Sequence, residues 1–277
     1  MNEGSLDDAE HHFFSKEAYL TVSSQLHLEA VAYAHSRVYT LSPSFRAERS
    51  QTSRHLAEFW ILEAEWAFTQ RVEDLCDIVE DAIKYTVRST VVQESEEDGE
   101  LAARVERIFA LGYAWTRMSY TDAVELLRIA HAKEQSRFAF EPEWGKGLQS
   151  EHEKWLAEEA GGPVFVTDYP SALKPFYMRT NSDGETVACF DLLVPGIGEL
   201  VGGSLREERL HMLDQAMEKI GLLGRDEYKW YRELRKFGGA PHGGFGLGFE
   251  RMVSAVTGEP NVRECIAMPR WAGRMLL

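Results

Sequence analysis

The chain has 277 residues, 44% hydrophobic and 27% charged, a composition typical of a globular protein. Its formal net charge of −15 excludes nucleic-acid binding driven by the charge of the whole chain, although a local basic site remains compatible with it. The start, "MNEGSLDDAEHHFF", has neither the basic nor the apolar part of a signal peptide, and no long apolar run follows. We therefore expect no membrane association and a cytoplasmic location, with the mitochondrial matrix as an alternative.

A helix and a hairpin are the first predicted elements. Apolar residues recur with a helical period from Leu26 to Ala34. The stretch from Phe45 to Phe68 predicts two strands joined by a polar loop at Arg49 to Arg54. Alternation along the second strand places two sets of side chains on opposite faces: Phe59, Ile61, Glu63 and Glu65 on one, and Trp60, Leu62, Ala64, Trp66 and Phe68 on the other. The second face is predicted to be core.

Helical periodicity then predicts a helical block over about residues 70–160, in which the acidic runs 93–100 and 151–159 are expected to be solvated. β character returns in "PVFVTDYP", "PFYMRT" and "TVACFDLLVPGIGELVGG", followed by the helical "SLREERLHMLDQAMEKIGL". The segment "GGFGLGFER" predicts a strand and then a helix that begins at Glu250. Hairpin strands with helices grouped between them predict a single α+β domain over residues 1–277 with a mainly antiparallel sheet.

Charged side chains on the hairpin form the first candidate site. Glu63 and Glu65 lie roughly 7 Å apart on one face of a strand, beside the ring of Phe59. Arg46 and Glu48, on the preceding strand, are expected to point the same way. Because buried carboxylates without partners are costly, these groups face solvent, a cation or a ligand. Periodicity leaves two interpretations open, a surface of cross-strand ion pairs or a ligand site.

A second acidic pair, Asp191 and Glu199, flanks "LLVPGIG". If this segment turns back as a hairpin, the two carboxylates converge on one divalent cation, and Mg²⁺ needs only one or two such ligands plus phosphate oxygens. The spacing alone is weak evidence. Arg206, which follows a Gly-rich turn, could hold an anionic or carbonyl group bidentately.

The glycines at 244, 246 and 248 do not fit a phosphate-binding loop pattern. They predict a strand whose bare face lets a flat ligand approach closely. Arg251, at the start of the next helix, could stack on a base or bind a phosphate.

Together these segments resemble a known family. "FRAERSQTSRHLAEFWILEAE" is similar to motif 2 of the class II aminoacyl-tRNA synthetases and "GGFGLGFERM" to their motif 3. The longer strings resemble the asparaginyl subgroup, over nearly the whole chain: "YLTVSSQLHLEA", "RVYTLSPSFRAE", "FYMRT", "VACFDLLVPGIGELVGGSLREERL", "APHGGFGLGFERMV" and "NVRECIAMPR". The resemblance implies ATP as a substrate, Mg²⁺, and the class II sheet flanked by helices, with the helical block inserted after motif 2.

The resemblance also implies residue roles. In the ATP site, Arg46 would bind the α-phosphate, Glu48 would contact the adenine amino edge, Phe59 and Arg251 would lie on either side of adenine, and Arg54 and His55 would meet ATP and the tRNA acceptor end. Asp191 and Glu199 would hold Mg²⁺. In the amino-acid site, Glu63 and Gln25, with Glu3, would receive the α-ammonium group, Arg206 would donate to the side-chain carbonyl of asparagine, and Glu29 would accept from its amide. Arg46, Arg251 and Glu199 would carry the catalysis.

The implied activity is that of an asparagine–tRNA ligase catalytic region, which activates asparagine with ATP and transfers it to the acceptor end of tRNA(Asn). Two other interpretations remain: an enzyme that passes an asparagine or aspartate adenylate to ammonia or a small amine, and a non-catalytic binding or regulatory relative. The family's anticodon-binding barrel and motif 1 have no counterpart in the sequence, and "FGGA" stands where the family has "YGT". A homodimer is expected if a longer chain supplies the N-terminal portion.

Overall fold

A computed structural model of the chain describes residues 12–50, 52–94, 99–133 and 137–275, with the backbone alone for 91–94. Within these ranges seven strands form one sheet in the order β1-β2-β7-β6-β5-β4-β3, and every neighbouring pair is antiparallel except β3 and β4. The strands are β1 Arg37–Phe45, β2 Glu58–Ala67, β3 Thr116–Ser119, β4 Val164–Thr167, β5 Cys189–Val194, β6 Gly198–Leu205 and β7 His242–Gly248. The predicted α+β class and mainly antiparallel sheet are confirmed.

Eight α-helices accompany this sheet in the described ranges. They are α1 Gln25–His35, α2 Val72–Glu94, α3 Gly99–Phe109, α4 Tyr120–Lys133, α5 Ser150–Glu159, α6 Leu210–Lys219, α7 Lys229–Lys236 and α8 Phe249–Thr257. Helices α2, α3 and α8 pack with β2, β5, β6 and β7 around the main apolar core, whereas α4 and α5 pack with β3, β4 and β5 around a second. None of the described helices is long and apolar enough to cross a membrane.

The predicted hairpin forms, but its first strand lies earlier in the chain than expected. Strand β1 ends at Phe45, so Arg46 and Glu48 lie in the connection to β2 and not on a strand. On β2, Ala64 is buried as expected, but Trp60 is 41% exposed and the predicted core face is therefore incomplete. Trp60 lies beyond the core because the pairing of β2 with β7 begins only at Ile61, so Trp60 has β1 alone beside it, whereas Ala64 pairs with both strands.

The second and third sequence segments form the expected hairpin and strand–helix pair, but Gly202 and Gly203 lie within β6 and not in a turn before Arg206, and the next helix begins only at Leu210. Strands β5 and β6 make an antiparallel hairpin, and β7 runs directly into α8, which begins at Phe249, one residue before the predicted start. The segment "PFYMRT" makes only isolated bridges, at Met178 and Thr180.

The region predicted as a helical block contains four helices and also the short strand β3, which pairs in parallel with β4 at the edge of the sheet. Its second acidic run is not wholly solvated, which corrects the expectation: Glu151 accepts hydrogen bonds from the amides of Ala139 and Phe140, and Glu153 bonds to Arg54. In the first run, residues 95–98 lie outside the described residues. Tertiary contacts decide whether each of these carboxylates is solvated or paired, since the local sequence shows only a run of acidic side chains.

Candidate active site

A cavity of about 920 Å³ opens on the face of the sheet opposite the main core. Its wall combines α1, the β1–β2 connection, β2, β5, β6, β7 and α8, which are distant in sequence. The expected site residues that line it are Gln25, Arg46, Glu48, Arg54, His55, Phe59, Glu63, Asp191, Glu199, Arg206 and Arg251. Glu29 does not line the cavity, and Glu3 lies outside the described residues.

At one end of the cavity, cationic groups lie beside an aromatic ring. The guanidinium carbon of Arg46 lies 5.1 Å from the centre of the Phe59 ring, and its Nε donates to the carbonyl oxygen of Val22 at 3.4 Å. Glu250 fixes the start of α8 against the strand by accepting from the amide of Trp60 at 3.0 Å. The flat ring of Phe59 is suited to stacking on a nucleotide base, and the guanidinium of Arg46 beside it is suited to binding a phosphate.

The two predicted carboxylates do converge. A Cβ placed on Gly202 would lie 3.3 Å from Oε1 of Glu199 and 3.5 Å from Oδ1 of Asp191, so both oxygens meet above a residue that has no side chain. Lys174 donates to both oxygens of Asp191 at 2.9 and 2.7 Å, and Arg251 donates to Glu199 at 3.2 Å. Two carboxylates that converge on the cavity wall fit the oxygen donor set of Mg²⁺.

The charges around this pair affect the two carboxyls differently. Burial raises the pKa of Asp191, and the ammonium of Lys174 offsets only part of that rise. Burial also acts on Glu199, but Arg251 and Lys174 outweigh it and lower its pKa. Glu199 therefore stays ionised under neutral conditions and faces the cavity as an anion.

Glu63 lies on β2 deeper in the cavity and is held by the segment before α1. Its Oε2 accepts from the backbone amide of Ser24 at 2.8 Å, and its Oε1 accepts from the hydroxyl of Ser23. Gly246 faces Glu63 across the β2–β7 pair and has no side chain to cover it, since a Cβ there would lie 3.8 Å from Cγ of Glu63. A carboxylate in this position can receive an ammonium group.

Arg206 and Glu65 form a buried ion pair at the back of the cavity, with 2% and 1% of their surfaces exposed. Nε of Arg206 donates to both oxygens of Glu65 at 3.2 Å, Nη2 donates to Oε1, and Nη1 donates to the hydroxyl of Ser204 at 2.6 Å. Burial raises the pKa of Glu65 to about 7, although Arg206 acts to lower it. A guanidinium has five N–H groups, so Arg206 retains donors beyond these bonds for a ligand.

The glycine-rich strand β7 serves two purposes. Gly246 and Gly248 line the cavity, in agreement with the prediction of a bare face. Gly244 has a different role, because a Cβ there would overlap the carbonyl oxygen of Ala64 and the carboxyl group of Glu65. This glycine makes room for the buried ion pair and not for a flat ligand.

Glu29 is fully buried behind Gln25, one layer away from the cavity. It accepts hydrogen bonds from Arg235 Nη2 at 2.6 Å, from the Tyr231 hydroxyl at 2.8 Å and from Gln25 Nε2 at 3.1 Å, and His242 Nε2 lies 3.1 Å away. Burial alone would raise its pKa, but His242, Arg235 and Arg206 outweigh burial and hold the pKa at about 2. Glu29 is thus an anion at neutral pH, buried behind Gln25 and the cavity wall.

The connection between β1 and β2 carries Glu48, Arg54 and His55 over the cavity mouth. His55 bonds through Nδ1 to the hydroxyl of Ser50 at 3.0 Å, and its Nε2 lies 3.8 Å from Oε2 of Glu48. Burial lowers the pKa of His55, and Arg251, Arg54 and Arg263 act in the same direction. Both Nη atoms of Arg54 donate to Oε2 of Glu153 at 3.1 Å.

Sequence reasoning missed several residues of the wall. Lys174 lies among short, irregular pieces of chain, and its partner Asp191 is 17 residues away, so no local periodicity marked it. The ring of Tyr177 lies 5.6 Å from the guanidinium of Arg206. Glu153 does not line the cavity but bonds to Arg54, which does, and it was expected to be solvated because its place in an acidic run was the only available signal.

This combination of an antiparallel sheet, a charged motif 2 hairpin and a glycine-rich strand running into a helix defines a class of enzymes. The chain matches the family described as tRNA synthetases class II (D, K and N) over residues 5–272, and it belongs to that family.

Among its relatives, the asparagine–tRNA ligases of Myxococcus xanthus and Pseudoalteromonas translucida are each 49% identical to it, over 94% and 98% of this chain. The crystal structure of Pyrococcus horikoshii asparaginyl-tRNA synthetase complexed with asparaginyl-adenylate superposes with a TM-score of 0.85, at 35% identity over 95% of this chain. The chain spans 56% and 58% of the lengths of the two ligases and 59% of that structure.

Proposed function

We propose that this chain is the catalytic region of an asparagine–tRNA ligase, acting as one domain into which the helical block is inserted. The observation that carries the proposal is the convergence in one cavity of Arg46, Phe59, Glu63, Asp191, Glu199 and Arg251. Supporting it are the asparagine–tRNA ligase relatives at 49% identity.

The proposed first step needs no general base. The carboxylate of asparagine is already ionised at neutral pH, so one of its oxygens attacks the α-phosphorus of ATP, the bond to the β-phosphate breaks, and pyrophosphate leaves. Positioning and charge compensation then provide most of the acceleration. Arg46 would bind the α-phosphate, Phe59 and Arg251 would hold adenine between them, and Glu48 would contact its amino edge.

Asp191 and Glu199 would hold Mg²⁺, which when bound would neutralise phosphate charge. Their convergence above Gly202 supports this assignment. Lys174 and Arg251 donate to the same two carboxylates, so Mg²⁺ would share them with these side chains or displace them.

Selection of asparagine would depend on the opposite end of the cavity. Glu63 and Gln25, with Glu3, would receive the α-ammonium group, and Arg206 would donate to the side-chain carbonyl. From its buried position, the negative charge of Glu29 would attract the side-chain amide of asparagine. The same charge would disfavour the side-chain carboxylate of aspartate. The pKa of about 2 supports this role, because Glu29 then carries its charge throughout the physiological range.

In the second step, a ribose hydroxyl at the acceptor end of tRNA(Asn) would attack the acyl carbon and AMP would leave. Arg54 and His55 line the cavity and are proposed to meet the acceptor end. We also propose a cytoplasmic location, with the mitochondrial matrix as the alternative, and a homodimer for a longer chain that carries the family's motif 1. The last proposal depends on the resemblance alone, and sedimentation of such a chain tests it.

Pyrophosphate exchange into ATP tests the activation step. Exchange should depend on asparagine and should be much weaker with aspartate, and Arg46→Ala should abolish it. No exchange with either amino acid would leave only a non-catalytic role. Exchange without charging of tRNA(Asn), even by a longer chain to which the family's barrel and motif 1 are joined, would favour transfer of the adenylate to ammonia or a small amine.

A further inference from the structure

Glu153 brings the helical block into contact with the proposed ATP site. Its Oε2 accepts from Nη1 and Nη2 of Arg54 and from the backbone amide of Glu199, each at 3.1 Å. One carboxylate oxygen therefore joins the β1–β2 connection to the β5–β6 hairpin. The side chains of Arg54 and Glu153 are only 18% and 15% exposed, so solvent screens this contact less than a surface ion pair.

The neighbouring backbone is shaped around this contact. Gly198 has a φ of +81°, and a Cβ on it would lie 2.6 Å from Oε2 of Glu153 and 3.1 Å from Nη2 of Arg54. Any side chain at this position would both strain the backbone and displace the carboxylate. The first residue of β6 therefore leaves room for the Glu153 carboxylate because it has no side chain.

The helix that carries Glu153 is fixed at its first turn. Its neighbour His152 is buried and accepts from the amide of Gln149 at 3.1 Å, so its other ring nitrogen donates to the carbonyl oxygen of Phe140 at 2.8 Å. Glu151 accepts from the amides of Phe140 and Ala139 at 2.8 and 3.0 Å. Glu151 and His152 thus bond the first turn of the helix to the segment that precedes it. The next side chain, Glu153, bonds to Arg54 from this anchored turn.

We propose that Glu153 is a positioning residue of the adenylation site, which orients the guanidinium of Arg54 and the backbone of Glu199 for ATP. The helical block would thereby set the affinity for ATP without contacting it. This inference rests on the proposed function only in naming ATP as the ligand. A merely structural Glu153 would stabilise the fold and leave ATP affinity unchanged.

The test measures both the KM for ATP in pyrophosphate exchange and the Kd for ATP by calorimetry, on the full chain. Glu153→Gln keeps an acceptor for the Glu199 amide but loses the charge opposite Arg54, and should raise both constants about threefold to tenfold, with kcat changed less than about twofold. Glu153→Ala loses the acceptor as well and should raise them further. Glu158→Gln, on an exposed part of the same helix, is the matched control and should change neither constant.

A double-mutant cycle tests whether Glu153 acts through Arg54. The variant Arg54→Ala with Glu153→Gln should have a Kd for ATP within about twofold of Arg54→Ala alone, because Gln keeps the acceptor for the Glu199 amide and the charge that it removes has already lost its partner. Full additivity would overturn the proposal. An unchanged Kd for ATP in both Glu153 variants would also overturn the proposal, whether or not their stability is reduced. Tighter ATP binding by these variants would overturn it too, because Glu153 would then compete with ATP for Arg54.

The two proposals fail separately. A wild-type chain that binds ATP but shows no exchange contradicts the proposed function, while the Kd comparison still decides the role of Glu153. Exchange by the wild type with unchanged constants in the variants contradicts only the role of Glu153. A wild-type chain that does not bind ATP overturns both.

Discussion

Glu29→Gln tests whether the buried anion behind the cavity stabilises the fold through its charge. The side chain is fully buried, and its cationic partners lower its pKa from an ordinary value of 4.5 to about 2. A difference of roughly 2.5 units at about 1.36 kcal/mol each corresponds to about 3 kcal/mol of folding free energy at pH 7. The penalty known for breaking one partner of a buried pair, about 3–5 kcal/mol, agrees with this figure. Gln keeps the shape but leaves Arg235 buried without its counter-charge.

The pH dependence of this loss has a defined sign. A carboxyl whose pKa is lower in the folded state contributes its stability above the unfolded value of 4.5 and loses it as the pH falls towards 2. The difference in unfolding free energy between wild type and Glu29→Gln should therefore be largest near pH 7 and should shrink below pH 4.5.

Urea unfolding followed by tryptophan fluorescence at pH 7 and pH 4 measures both effects. Glu158→Gln is exposed on α5 and should stay within about 0.5 kcal/mol of wild type. Adding Arg235→Met to Glu29→Gln should cost less than the sum of the two single losses, because no buried charge is then left opposite an amide. A Glu29→Gln variant within about 1 kcal/mol of wild type at pH 7, or a loss that grows on acidification, would refute the reasoning.

Three further outcomes follow from the same contacts. Gly244→Ala should destabilise the fold by about 1–3 kcal/mol in urea unfolding, because its Cβ would overlap the backbone at Ala64. Gly246→Ala should cost less, because its Cβ would lie 3.4 Å from Cγ2 of Ile61, and equal losses would contradict this account. Phe59→Leu should raise the KM for ATP roughly tenfold in pyrophosphate exchange through lost stacking, and an unchanged KM would remove Phe59 from the adenine site. Asp191→Asn should raise the Mg²⁺ concentration for half-maximal exchange about tenfold, and an unchanged Mg²⁺ dependence would exclude Asp191 as a ligand.

Much of the proposed site follows from local sequence patterns. Alternation along β2 put Phe59, Ile61, Glu63 and Glu65 on one face, and the hairpin around "PGIG" brought Asp191 and Glu199 together as expected. Periodicity also predicted most of the helices, although not α7, and the hairpin strands predicted the class of the sheet. These features depend on residues near one another in the chain, whose geometry is set by the period of a strand or a helix.

Partners distant in sequence could not be predicted in this way. For the charges on β2, periodicity left two alternatives, ion pairs or a ligand site. The tertiary structure shows that each applies to a different residue: Glu65 pairs with Arg206, 141 residues away, and Glu63 lines the cavity. It also placed Glu29 behind the cavity with Arg235, 206 residues away, and turned Glu153 inward to Arg54, 99 residues away. The sequence determined which groups were charged and which local face carried them. Which opposite charge each one meets depends on how the sheet and helices pack, because burial makes an unpaired charge costly and the pairing is settled only when the chain has folded.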